Sequence, residues 1–321
     1  MNKRVYGVLG ISSIMANWNA DFSGYPKTTS DGKTYGSDKA LKYPMKKMWD
    51  NQGKKVVYLK SMRFTDGKKG ETLLVPNSLK ERYERLFQVE DLKKCKDTKT
   101  VLKNLFQAVD IKNFGATFAE SGMNFSITGA VQFGQGFNKY EDTQPQEQDI
   151  LSPFRVEKNK ENKSGDKNAD DEGKKNSTIG TKIVSDEAHY FYPFVINPLA
   201  YKEYVELGVT EGYTEADYLN FKETSLVSAT AFATNSKEGC ENEFALFVET
   251  EKELYLPNLT EYITFIKGET KNEIEIACGE LLQAFRERIF SVEIYYNPDT
   301  TMVRKTIEGA KYFNIITRKE V

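Results

Sequence analysis

Four lysines, Lys39, Lys42, Lys46 and Lys47, fall within nine residues, interleaved with Tyr43, Met45 and Trp49. On a helix Lys39, Lys42 and Lys46 lie three and four residues apart and share one face. A row of ammonium groups at that pitch can follow phosphates, and Ser37 at the helix start adds hydrogen-bond donors. A solvated helical face has the same pattern, and spacing alone does not separate the two. Phe125, Phe133, Phe137 and Tyr140 stand beside Gly-rich turns, where ring faces could stack on unpaired bases; core aromatics are the alternative reading. Lys112-Asn113-Phe114-Gly115 is the nearest approach to the RNA-binding strand motif and matches it only in part.

Other chemistries find little support. The one histidine, His189, lies between Ala188 and Tyr190 in an expected strand with no marked nucleophile beside it, so it is read as structural. Cys95, Cys240 and Cys278 are far apart and odd in number, which argues against a disulfide framework and a zinc site. Gly32-Lys33-Thr34 resembles the end of a P-loop, but Lys27 stands where its first glycine belongs. Gly134-Gln135-Gly136 begins a dinucleotide fingerprint that fails at Lys139. Asp110, Asp142 and Asp170-Asp171-Glu172 could attract divalent ions, but they are read as solvated acids. The expectation is a non-catalytic chain without a cofactor.

The 321 residues carry 45 Lys and Arg against 47 Asp and Glu, and the near balance hides an asymmetry. Residues 1–112 hold 23 basic and 12 acidic residues, a surplus of 11 positive charges. The other 209 hold 22 and 35, a surplus of 13 negative charges. Such a chain could bind a polyanion on one side and meet its own copies, basic edge to acidic edge. Lys222, in the acidic portion, is read as an ordinary solvated lysine. No run of about 18 apolar residues exists to cross a bilayer. The basic start Met1-Asn2-Lys3-Arg4 precedes only a short apolar run, read as a first strand rather than a signal peptide. A soluble, cytoplasmic protein without membrane contact is expected.

The elements that must hold these residues follow from periodicity. Residues 4–14 read as a strand buried on both faces, 17–36 as a polar loop, and Ser37–Asn51 as a helical element interrupted by Pro44. Lys55–Leu59 reads as a second strand. Ser78 with Glu81 forms a capping box ahead of a helix. Val101, Leu102, Leu105, Phe106 and Val109 form an amphipathic stripe. Phe114–Phe137 returns to strand, as do 190–196, 244–248, 292–295 and 312–316. Helices are expected near Thr214 and over Leu281, Leu282, Phe285 and Ile289. Residues 155–178 are highly polar, and 139–181 as a whole is expected to be a mobile charged insertion. The interleaving points to an α+β fold with an antiparallel sheet.

The chain resembles the backbone subunit of type I CRISPR surveillance complexes (Cascade), most closely that of subtype I-B. The resemblance rests on Asn17-Trp18-Asn19-Ala20-Asp21 after the first strand and on the spacing of Ser37, Lys42 and Lys46. Phe114-Gly115-Ala116, Ser126–Gln132, Tyr192–Pro198 and Thr234-Asn235-Ser236-Lys237 continue it in order. At the first loop Trp18 and Ala20 replace the usual Pro and Gly.

The resemblance implies one domain over 1–321, a modified RRM or ferredoxin-like palm with inserted finger and thumb regions. Residues 15–54 would be its loop and basic helical element, and 139–181 a possible thumb or finger. Copies would stack head to tail along a CRISPR guide RNA and hold it open for pairing with target DNA. Implied partners are the large subunit, the repeat-end-binding subunits and a recruited helicase-nuclease. The implied RNA-binding residues are Asn17, Asn19, Ser37, Lys39, Lys42, Lys46, Lys47 and Gln132. Two alternatives remain: a type III-like subunit in which Asp21 and a metal cleave target RNA, and a protein–protein scaffold without RNA.

Overall fold

The strand expected at 4–14 runs Arg4–Ala16 and forms the spine of the molecule. The computed structural model describes residues 1–95, 97–151, 178–305 and 307–321. The spine pairs antiparallel with the 19-residue strand Thr178–Ile196, from Val5 opposite Ile196 to Ala16 opposite Ser185. On its other edge it pairs antiparallel with Cys240–Thr250, with a bulge at Gly10/Ile11. Beyond that strand lie Ile289–Tyr296, antiparallel, and Lys311–Asn314, parallel. Val131–Phe133, Gly136–Asn138 and Pro145–Leu151 all pair with the long strand, and Tyr35–Gly36 closes the edge. Nine described strands thus make one sheet, antiparallel except at the 293–296/311–314 pair.

Successive side chains of a strand point to opposite faces, and the spine supplies a core on each. Val5, Leu9 and Ile11 join Trp49, Tyr83, Tyr192, Phe194, Phe221 and Phe247 in a core shared with the helices. Tyr6 and Val8 join Phe191, Phe244, Leu246 and Val248 in a second core. A three-stranded sheet, Ile263–Ile266, Asn272–Ile276 and Thr301–Arg304, contributes Ile263, Phe265, Ile274 and Ile276 to it. Burial on both faces is why this strand reads as a continuous apolar run.

Helices start where local chemistry dictates. Ser78 and Glu81 form a reciprocal capping box ahead of Leu79–Phe87, and Thr214 with Asp217 does the same for Glu215–Ser225. The stripe after Val101 divides into two helices, Thr98–Leu105 and Val109–Phe114. Pro44 does not interrupt the basic helix, which is continuous over Asp38–Asn51.

Two expectations are corrected. Residues 55–59 form no strand: Asp110 accepts the amides of Val57 and Tyr58, and Arg82 donates to the Val56 carbonyl. These side-chain bonds take the groups a ladder would use. Leu281–Ile289 is not one helix. It comprises Gly279–Gln283 and a 3-10 turn at 286–288, after which Ile289 opens a strand opposite Thr250. Of the 139–181 stretch, the flanks 145–151 and 178–185 pair as strands. Residues 152–177, with Asp170-Asp171-Glu172, lie outside the described residues. No helix among the described residues is long and apolar enough to cross a membrane.

Candidate nucleic-acid interface

The basic helix is anchored through one face. Leu41, Met45 and Trp49 are buried, and Trp49 Nε1 donates to Thr224 Oγ1 at 2.7 Å. Ser37 caps the first turn by accepting from the Ala40 amide at 3.3 Å. Lys42 and Lys46 then lie on a floor of rings. Their ammoniums sit 5.3 and 5.9 Å from the Phe114 centroid. Lys42 is also 5.9 Å from Phe133, and Lys46 5.7 Å from Tyr58. Ring faces attract cations without neutralising them.

Phe114 owes its place to the residue after it. Gly115 takes a φ of 77°, turning the chain from helix into the hairpin 115–120/123–128, and a Cβ there would lie 2.1 Å from the Ile127 carbonyl oxygen. The motif Phe114-Gly115-Ala116 is thereby a turn that presents a ring to the lysines.

The four lysines differ in their partners. Lys42 bonds Asp38 at 2.7 Å, one helical turn back, and Lys47 turns to Asp50 at 3.4 Å. Lys39 is exposed. Lys46 has no carboxylate within ion-pair distance among the described residues. Burial lowers its pKa; Asp110 and Asp38 pull the other way, and the nearby Lys42 charge adds to the lowering. Asp110 in turn is driven up by burial, against the Lys46 charge and the amides of Val57 and Tyr58.

The polar loop serves the helix. Asn19 Oδ1 accepts the Ser37 amide at 2.7 Å, which fixes the helix start. Asn17 is buried: its Nδ2 donates to the carbonyls of Gly24 and Ile183, and its Oδ1 has no partner among the described residues. Trp18 is buried and donates to the Tyr192 hydroxyl at 2.6 Å. Gly36 is pressed against this pair so closely that a Cβ would lie 1.8 Å from the Tyr192 hydroxyl. Lys237, not singled out for any contact in the sequence, donates to the carbonyls of Asn17 and Trp18 and lies over the Trp18 ring. The signal for it was the run Thr234–Lys237, read only as part of a resemblance.

The structure separates Gln132 from the lysines. Phe133 and its partner Phe194 face the helices, whereas Gln132, opposite Val195, faces the other side of the sheet. There it lines an apolar pocket of about 380 Å³ with Tyr6, Pro193, Leu256 and Leu259, and bonds the Gly129 carbonyl at 2.8 Å. The aromatics also part company. Phe133 joins the lysine floor and Phe125 stacks on Phe118. Phe137 tilts against Tyr35, and Tyr140 packs edge-on to His189 and Phe265.

Asp21 is occupied in a turn, where its Oδ1 accepts the amides of Ser23 and Tyr25. Among the described residues no group of three or more His, Cys, Asp and Glu is placed to hold a metal. His189 stacks on Phe265 at 3.8 Å between Glu243 and Glu187, with a ring nitrogen 2.8 Å from one and 2.9 Å from the other. Burial works to lower its pKa, but the two carboxylates outweigh burial and raise it.

A basic helix face laid on rings, with the Lys46 ammonium in no ion pair among the described residues, is chemistry for an anion. The profile of the family described as CRISPR-associated protein Cas7 matches residues 3–277. The chain belongs to that family. Among solved structures the Cas7-family chain is similar to one described as "CRISPR RNA-guided surveillance complex, pre-nicking", at 13% identity and a TM-score of 0.49 over 97% of this chain and 96% of that one. No curated protein matches it.

Proposed function

We propose that this Cas7-family chain is a non-catalytic backbone subunit of a type I CRISPR complex, most like subtype I-B. It binds guide RNA through its phosphates and stacks along it in a head-to-tail filament. The bases stay free to pair with target DNA, and other Cascade subunits and a helicase-nuclease join the assembly. The central sheet takes the part of an RRM-like palm. Family membership supports the setting, and the single observation that carries the RNA reading is the Lys42/Lys46 face over Phe114, with Lys46 free of any carboxylate. A subunit that must accept any guide has to hold phosphate and sugar and leave sequence to base pairing. Ammoniums without a base-reading partner suit that task.

The test is a salt titration of binding to two short single-stranded RNAs of equal length and unrelated sequence. The Lys42→Ala/Lys46→Ala variant should weaken both equally and lower the slope of log affinity against log salt by roughly 0.7 per lost contact. Lys202→Ala, at an exposed lysine of the acidic portion, is the control, and equal behaviour of variant and control overturns the reading. Light scattering with a guide-length RNA checks assembly. Oligomers are expected, because head-to-tail contacts do not close on themselves, and a strict monomer at saturating RNA counts against the filament.

A further inference from the structure

The segment 55–59 is irregular, yet several of its backbone groups are pinned, and two of the pins meet at Asp110, close to Lys46. Arg82 donates through Nε and a terminal nitrogen to the Val56 carbonyl, at 3.1 and 2.7 Å. The Lys55 carbonyl accepts the Val109 amide at 2.9 Å. Asp110, only 1% exposed, accepts the Val57 amide at 3.0 Å on one oxygen and the Tyr58 amide at 2.8 Å on the other. The Tyr58 hydroxyl donates to the Thr117 carbonyl at 2.6 Å, fixing the far end of the ring. That ring and Phe114 together form the surface on which the Lys46 ammonium rests.

A buried carboxylate with two amide partners is a costly way to hold a loop, since desolvation of the charge must be offset by those bonds. Its position explains the cost. It sets Tyr58 under Lys46 and places a negative charge behind the ammonium without forming an ion pair with it.

We infer that Asp110 is a positioning residue for the phosphate contact of Lys46, acting through the amides of Val57 and Tyr58 and the Tyr58 ring. The inference rests on the phosphate reading of Lys46. Asp110 holds the aromatic floor in register, and the floor fixes where the half-buried ammonium can meet a phosphodiester oxygen. Asp38, Lys42 and Tyr58 are the other charged or titratable groups about Lys46, and of these only Tyr58 is bonded to Asp110.

The test is a double-mutant cycle on the full chain with a short labelled single-stranded RNA, read as affinity and salt slope, with thermal melting in parallel. Lys46→Ala alone should lower the slope by roughly 0.7. Asp110→Asn alone should weaken binding by about threefold or more, the size expected of coupled neighbours. In the Lys46→Ala background the same change should leave affinity unaltered while still lowering the melting temperature. A purely structural residue would add its loss in both backgrounds. If Asp110→Asn does not fold, Tyr58→Leu removes the ring while leaving both amides with Asp110, and the same non-additivity is expected. Additive losses, or no loss from either variant in the parent, overturn the positioning role and leave the phosphate reading standing. An unchanged slope for Lys46→Ala overturns both.

Discussion

Lys46, half-buried, and Lys222, buried, both rest on aromatic rings and end in opposite states. Each ammonium lies on aromatic rings, Lys46 on Tyr58 and Phe114, Lys222 on Tyr218, Phe247 and Tyr295. Lys222, expected from the sequence to be solvated, is only 8% exposed and bonds Glu293 at 2.5 Å, so its charge is spent inside the fold. The same holds for Lys112 with Asp217 and for Lys3 with Glu249. Lys46 has rings and, among the described residues, no ion pair. Aromatic contact is common to both lysines, so the phosphate proposal for Lys46 rests on the missing counter-charge.

Breaking the comparison at Lys222 should have the largest effect. Lys222→Ala leaves Glu293 without its cation and should cost about 3 kcal/mol in denaturant unfolding, with RNA affinity per folded molecule unchanged. Lys46→Ala should do the reverse: stability held within about 0.5 kcal/mol, and a shallower salt slope as above. A comparable loss of stability in both variants would erase the distinction. Asp38→Asn sharpens it further, because it releases Lys42 from its partner one turn back. RNA binding should tighten about twofold, the worth of an i,i+4 pair, and no change would mean that Lys42 does not reach the RNA.

The smallest effect concerns His189, held between two carboxylates. Its pKa is raised in the folded chain above the ordinary 6.5, so its contribution is fully present below that value and fades as pH rises through the folded pKa. Unfolding midpoints should fall over that window in the parent and stay flatter in His189→Gln.

Local signals were legible in the sequence, and partnerships across the chain were not. The buried spine, the cap at Ser78, the helix start near Thr214, and the strands at 190–196 and 244–248 need only neighbours, and they stand as expected. Residues 55–59 carry a strand pattern that a carboxylate more than fifty positions away overrides. The lysine spacing gave a shared face, but the sequence already placed Asp38 four residues before Lys42, a pairing the phosphate reading passed over. Gln132 and Phe133 are neighbours in one strand and were both candidates for RNA contact. The two-residue period of the strand sends them to opposite sides of the sheet, and only the register with Val195 and Phe194 reveals which side is which.

The spine strand also has a history in time. Its hydrogen-bonding partners are residues 185–196 on one edge and 240–250 on the other, so this strand, once it has left the ribosome, finds neither neighbour until more than 160 further residues have followed. At about 5–20 residues per second, that is a wait on the order of 10–30 s. Throughout it, an apolar strand has both edges open to pairing with other nascent chains. The charged helices made in the interval keep this region of the growing chain strongly positive and so mutually repelling between copies. Native structure at the loop 17–36 comes later still, since Lys237 must arrive to bind the carbonyls of Asn17 and Trp18. Translation speed between residues 16 and 185 is thus a determinant of soluble yield, independent of the stability of the finished fold.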